Sequence, residues 1–140
     1  MILYCDTSAL VKLYIAEVSS ELVTQRLVEA EAVAVCRIAW AEAYAAFSRR
    51  AREVPLDAEM IDLAKAALAA DWPRFVILEI NQQLVERAGD YADTFALRGY
   101  DSIQLAAAFE TARITQSPTL FACFDTRLNK AAKALGMLCL

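Results

Sequence analysis

Ile2-Leu3-Tyr4-Cys5-Asp6-Thr7-Ser8 runs four apolar residues straight into an acid and two hydroxyls, and Ala9-Leu10-Val11-Lys12-Leu13-Tyr14 follows at once. Read physically, a short buried strand ends at Asp6 and a helix starts there. A carboxylate at the C-terminal end of a central strand sits where open α/β sheets bind ligands. The reading of the chain turns on whether other acids converge on Asp6.

Working outward, strand-like and helix-like segments alternate. Strands are expected at 2–5, 32–36, 75–80, 119–124 and 137–140. Helices are expected over 8–15, from Ser19 or Ser20 to about Ala30, over 38–53, from an Asp57 cap to about Ala70, from an Asn81 cap through Leu97, over 103–114, and from Asp125 to Leu135. In the second helix Leu22, Val23, Leu27 and Val28 make an apolar stripe. Trp40, Tyr44 and Phe47 share one face of the third. Gly99 suits a left-handed C-cap, and Gly136 closes the last helix. The alternation predicts an α/β fold in three layers: a central, mostly parallel sheet of four or five short strands flanked by about seven helices. No linker, low-complexity tract or charge block divides the chain, so residues 1–140 read as one domain.

The chain has 59% hydrophobic and 23% charged residues, which excludes disorder as a description of the whole. Charges interrupt every apolar run before it is long enough to span a membrane. Asp6 falls where a signal peptide would need its apolar stretch, so a cytoplasmic protein with no membrane partner is expected. The net charge of −4 is the wrong sign for a generic nucleic-acid binder, yet it allows a nuclease with its acids gathered in one pocket. The absence of histidine constrains function most. It removes Ser-His-Asp and Cys-His nucleophilic schemes and His-containing metal sites. The cysteines at 5, 36, 123 and 139 form no C-x-x-C pair and are expected to be reduced, buried and small.

Four acids are candidates for one pocket. Asp6 and Asp125 lie at strand ends in matching strand-Asp-Thr-helix junctions. Asp101 lies at a helix start just after a glycine, and Glu42 one turn into the helix that follows the second strand. Taken singly, an Asp before a helix is an N-cap more often than a ligand, and a lone Glu on a helix is usually solvated. Taken together, the four map to one end of a parallel sheet. Two unit charges ~5 Å apart repel by about 0.8 kcal/mol in water and ~3 kcal/mol at an effective dielectric of 20. Such a cluster needs protons or a cation. Oxygen-only donors select Mg²⁺ or Mn²⁺, and such an ion beside a phosphodiester makes a hydrolase site.

The order of these pieces resembles the PIN-domain ribonucleases, and within them the VapC-type toxins of toxin–antitoxin pairs. The resemblance is carried by residues 4–14, by Trp40-Ala41-Glu42, by Leu97-Arg98-Gly99-Tyr100-Asp101-Ser102-Ile103-Gln104-Leu105-Ala106, and by Phe124-Asp125-Thr126-Arg127-Leu128-Asn129-Lys130-Ala131-Ala132 with Gly136. It implies that Asp6, Glu42, Asp101 and Asp125 coordinate one or two Mg²⁺ or Mn²⁺, with Asp6 and Asp101 as primary ligands. It implies endonucleolytic cleavage of RNA by an activated water, leaving 5′-phosphate and 3′-hydroxyl ends. Thr7, Ser8 and Thr126 would orient carboxylates or water. It also implies a homodimer and a cognate antitoxin whose C-terminal segment lies in a groove and brings a basic side chain to the acids. Gln104 departs from the pattern, because relatives often carry His there.

Arg49, Arg50 and Arg52 are expected either to contact RNA phosphate or to be a solvated helix end. Arg37 and Lys12 are better placed for a phosphate. The aromatic stripe at 40, 44 and 47 reads as core or dimer packing. Two other functions fit a small α/β chain with acids at strand ends. A receiver-like phospho-accepting domain needs an acid pair early and an acceptor in mid-chain, and neither is found. A catalytically silent interaction domain of the same fold would be expected to have lost some of the four acids.

Overall fold

The computed structural model describes residues 1–140. In chain order it contains β1 (Ile2–Cys5), α1 (Thr7–Lys12), α2 (Ser20–Glu29), β2 (Ala32–Cys36), α3 (Ala39–Glu53), α4 (Ala58–Asp71), β3 (Val76–Leu78), α5 (Gln82–Phe95), α6 (Gly99–Thr115), β4 (Thr119–Ala122), α7 (Thr126–Ala134) and β5 (Leu138–Cys139). Short 3₁₀ turns at Pro55–Asp57 and Trp72–Arg74 flank α4. The strands form one sheet in the order β3-β2-β1-β4-β5, and every neighbouring pair is parallel.

The opening stretch therefore forms the middle of the sheet. All four residues of β1 are buried, and side chains alternate between the faces. Ile2 and Tyr4 enter a core built with α5, α6 and α7, where Leu84, Ala88, Leu105 and Leu128 pack. Leu3 and Cys5 enter the opposite core with Leu10, Val23, Phe47, Ile61 and Leu68 of α1–α4. Residues 105–108 of α6 are fully buried, three of them alanines, so that helix lies close against the sheet. Since all strands run the same way, their C-terminal ends share one edge, and Asp6 leaves β1 there.

The structure corrects several local expectations. α1 ends at Lys12 rather than near Ile15, because Ile15 turns into the core and its carbonyl accepts from Ser20 Oγ at 3.0 Å. Neither serine caps α2 by its side chain: Ser19 sits in the left-handed region at φ 70°, and Ser20 Oγ is turned back to the preceding loop. The α2 stripe narrows to Val23, with Leu27 partly buried, while Val28 is 81% exposed. Asp57 makes no cap bond, since its carboxylate accepts from Arg50 Nε at 3.0 Å. The left-handed residue after α5 is Ala96 at φ 53°, not Gly99, which is already the first residue of α6. The chain turns early because Leu97 must drop into the core. Gly136 does take a left-handed conformation, at φ 78°.

The Trp40–Tyr44–Phe47 face is packing. Trp40 stacks on Tyr44 at 5.0 Å between centroids and meets the edge of Trp72, while Phe47 is fully buried. All four cysteines are free, and all but the half-buried Cys139 are buried. No helix is long and apolar enough to cross a membrane.

Candidate active site

Asp6 is a helix cap first. Its Oδ1 accepts from the Ala9 amide at 3.0 Å and from Ser8 Oγ at 2.6 Å. It is also 6% exposed, and no Lys or Arg pairs with it. Burial raises its pKa above the ordinary carboxylate value. Hydrogen bonds from Cys123, Ser8 and Ala9 pull the other way, and the charge of Glu42 adds to the rise. Ser8 Oγ also accepts from the Phe124 amide at 3.1 Å, so one hydroxyl ties the ends of β1 and β4 together.

Glu42 stands in the first turn of α3, where a carboxylate is favoured by the helix N-terminus. Its Oε1 accepts from Thr7 Oγ1 at 2.8 Å and from Gln104 Nε2 at 2.8 Å. Gln104 Oε1 in turn accepts from the Tyr4 hydroxyl at 2.6 Å, and its Nε2 also reaches Thr7 Oγ1 at 3.3 Å. Burial, then the nearby Cys36, Asp6 and Glu42, hold the Tyr4 phenol far above its usual range, so it remains a donor.

Asp101 and Asp125 form a second pair. Asp101 is half-buried in the first turn of α6, and its pKa is raised by burial and then by Asp125, with Arg98 offsetting part of the rise. Asp125 caps α7, with Oδ1 accepting from the Leu128 amide at 2.9 Å, the same arrangement Asp6 makes on α1. Thr126 is exposed and its hydroxyl makes no hydrogen bond, unlike those of Thr7 and Ser8.

The acids act on one another in two pairs: the charge of Glu42 raises the pKa of Asp6, and that of Asp125 raises Asp101. No three carboxylates or thiols lie close enough to form a ready-made cage around one cation. The donor chemistry still fits a hard divalent ion. Such ions keep several waters and need only one or two carboxylates, and the buried Asp6 charge has no protein cation to offset it. Glu42 Oε2 carries no hydrogen bond and remains available.

An open groove of about 550 Å³ runs from Thr7, Ser8 and Glu42 along α1 and α3. Lys12, Arg49 and Arg50 line it, and so do Glu17 and Glu53. Lys12 pairs with Glu17 at 3.0 Å and lies over the Phe124 ring, and Arg50 is held by Asp57. Arg49 is exposed and pairs with no acid. Arg37, expected near a phosphate, is instead bound to Glu79 beyond the β2 and β3 ends.

The family model described as PIN domain matches residues 3–134. The chain belongs to the PIN domain family. Ribonuclease VapC45 of Mycobacterium tuberculosis is 31% identical to it, over 96% of this chain and 92% of the relative. The crystal structure of FitAcB from Neisseria gonorrhoeae superposes with a TM-score of 0.68 at 20% identity, covering all of this chain and 96% of the other. A toxin–antitoxin complex from Klebsiella pneumoniae gives a TM-score of 0.57 at 21% identity, over 86% and 84% of the two chains. Membership in the family sets aside the receiver-like reading.

In this PIN domain, sequence reasoning misses Tyr4 and Cys123 and undervalues Gln104. Tyr4 looks like any apolar strand residue, and only its position two before Asp6, on the face opposite Cys5, hints otherwise. Cys123 precedes the second strand-Asp-Thr junction by one residue, and the register of β4 on β1 brings its thiol to Asp6.

Proposed function

We propose that this PIN domain is a Mg²⁺- or Mn²⁺-dependent endoribonuclease, the toxin of a toxin–antitoxin pair. The observation that carries the reading is the Asp6 carboxylate: buried, without a basic partner, and beside Glu42 at the C-terminal edge of a parallel sheet. Likeness to a VapC ribonuclease along nearly the whole chain supports RNA as substrate, and all four acids present argue against a silent domain.

Asp6 and Glu42 would hold the cation, with Asp101 and Asp125 contributing as the second acidic pair. When bound, it offsets their repulsion and makes water nucleophilic near neutral pH. The chain's own contribution is placement. Ser8 and the Ala9 amide fix one oxygen of Asp6, and Thr7 and Gln104 fix one oxygen of Glu42, leaving Glu42 Oε2 for ligand. Water oxygen bonds to phosphorus, the bond from phosphorus to the 3′ oxygen breaks, and that oxygen takes a proton. The products carry 5′-phosphate and 3′-hydroxyl ends. Arg49, with Lys12 and Arg50, would meet backbone phosphates in the groove, and a second copy and an antitoxin segment would complete the assembly. Cleavage of RNA that is abolished by EDTA and by Asp6→Asn, with 5′-phosphate ends on the products, tests the reading. Unchanged cleavage by Asp6→Asn overturns it.

A further inference from the structure

Gln104 is 3% exposed in the second turn of α6, where it is followed by the fully buried Leu105, Ala106, Ala107 and Ala108. A buried primary amide must find partners for two kinds of group at once, an acceptor oxygen and donor hydrogens. Here each has a different neighbour. The Tyr4 hydroxyl donates to Oε1 at 2.6 Å from the central strand, and Nε2 donates to Glu42 Oε1 at 2.8 Å across the sheet edge. Flipping the amide would set its carbonyl against the Glu42 carboxylate, two acceptors with no proton between them. The phenol on one side and the carboxylate on the other therefore allow a single orientation.

The consequence falls on Glu42. Its Oε1 is held twice, by Gln104 and by Thr7, both neutral donors, while Oε2 has no partner. A glutamate on the first turn of a helix has free rotation about three bonds unless something restrains it. The restraint comes from three separate elements, β1, α1 and α6.

We propose that Gln104 is a positioning residue for the reaction: its amide, oriented by the Tyr4 hydroxyl, pins one oxygen of Glu42 and so presents the other to the cation and substrate. The inference rests on the hydrolytic reading of the four acids. It separates two duties that one carboxylate would otherwise share. The pinned oxygen belongs to the fold, and the open oxygen belongs to the chemistry. It also explains how a chain without histidine keeps a buried donor beside Glu42 that holds no charge at any pH.

The test uses the full-length protein with Mn²⁺ alone for binding and a single-stranded RNA for turnover. Gln104→Met keeps length and loses both hydrogen bonds. Gln104→Glu keeps the acceptor for Tyr4 and loses the donor. Both are expected to lower kcat by about 10- to 100-fold and to weaken Mn²⁺ binding, read by titration calorimetry, by a comparable factor, with KM for RNA changed little. Gln104→His, which has a donor and an acceptor, should recover most of the loss. Tyr4→Phe should give a smaller loss, and combined with Gln104→Met it should add nothing further, because both act through one chain of bonds. If Gln104→Met melts lower yet binds Mn²⁺ and turns over like the parent, Gln104 is core packing and the proposal fails. Full additivity of the two changes also sinks it. Should Gln104→Met not fold, Tyr4→Phe alone decides, since parent-like Mn²⁺ affinity there overturns the orienting role. Parallel assay of Asp6→Asn separates the two levels: if that variant still cleaves, the hydrolytic reading itself is wrong, whatever Gln104 does.

Discussion

Replacing Asp6 by Asn removes a charge and keeps a helix cap. The Asn oxygen can accept from the Ala9 amide and Ser8 hydroxyl as the Asp oxygen does, and the two residues rank alike at N-caps. What changes is the cost of a buried carboxylate with no basic partner. Its pKa is raised in the fold, so the native state binds that proton more tightly than the unfolded chain does. Above the raised value the metal-free fold is therefore penalised, by about 1.4 kcal/mol for each factor of ten in proton affinity between the folded and unfolded chain. At neutral pH in EDTA, Asp6→Asn should melt higher than the parent, by about 4 °C for each such factor in a domain of this size. The advantage shrinks as pH falls through the folded pKa and vanishes below the ordinary carboxylate value, where both forms are neutral. Mn²⁺ should work against that difference. At 100 times its dissociation constant a ligand adds about 2.7 kcal/mol, or roughly 8 °C, to the parent and almost nothing to the variant. Thermal unfolding followed by circular dichroism, with and without Mn²⁺, reads both effects. If Asp6→Asn melts lower in EDTA, the buried charge is not a liability and the argument for a cation fails. Equal stabilisation of both proteins by Mn²⁺ would place the ion elsewhere.

Asp125 offers a second separation of cap from ligand. Asp125→Asn should keep the melting temperature and lower RNA cleavage, whereas Asp125→Ala should also lose about 1 kcal/mol of stability in chemical denaturation. Arg49→Ala should raise KM for RNA with kcat preserved, and should reduce the salt dependence of binding by about one ion in a filter-binding series. Ala96→Gly should raise the melting temperature by a few degrees, because Ala96 holds a left-handed conformation that costs an L-residue about 1 kcal/mol or more. A fall on that substitution would mean that the turn after α5 draws its stability from the Ala96 side chain.

Much of this molecule can be read from its residues, and the failures have common causes. The strand at 2–5 and its neighbours at 32–36 and 119–122 announce themselves as apolar runs, because strands buried on both faces have no polar side to show. Asn81 and the two strand-end aspartates are readable as caps because capping is a local matter. Helix ends escape such reading where a distant demand overrides local preference. Leu97 has to reach the core, so the left-handed turn falls on Ala96 although Gly99 lies nearby. Asp57 is taken from its cap by Arg50, a residue of the preceding helix. In the site, Thr7 and Ser8 are visible because they adjoin Asp6 in sequence. The link from Tyr4 through Gln104 to Glu42 spans 100 residues in its first step and 62 in its second, and no pattern within one element reports it.

The strand order has a consequence for how the molecule comes into being. β1 is made before its partners, yet it lies at the centre, and they begin at Ala32 on one side and Thr119 on the other. At ribosomal speeds of about 5–20 residues per second, β1 waits several seconds or more with one flank open. The Phe124 amide that steadies Ser8 is made 116 residues after it, and Asp125 follows at once. A nascent or prematurely ended polypeptide thus carries Asp6 and Glu42 without the second acidic pair. Docking of β4 on β1, the step that closes the centre of the sheet, is therefore also the step that brings Asp125 to the edge where Asp6 lies.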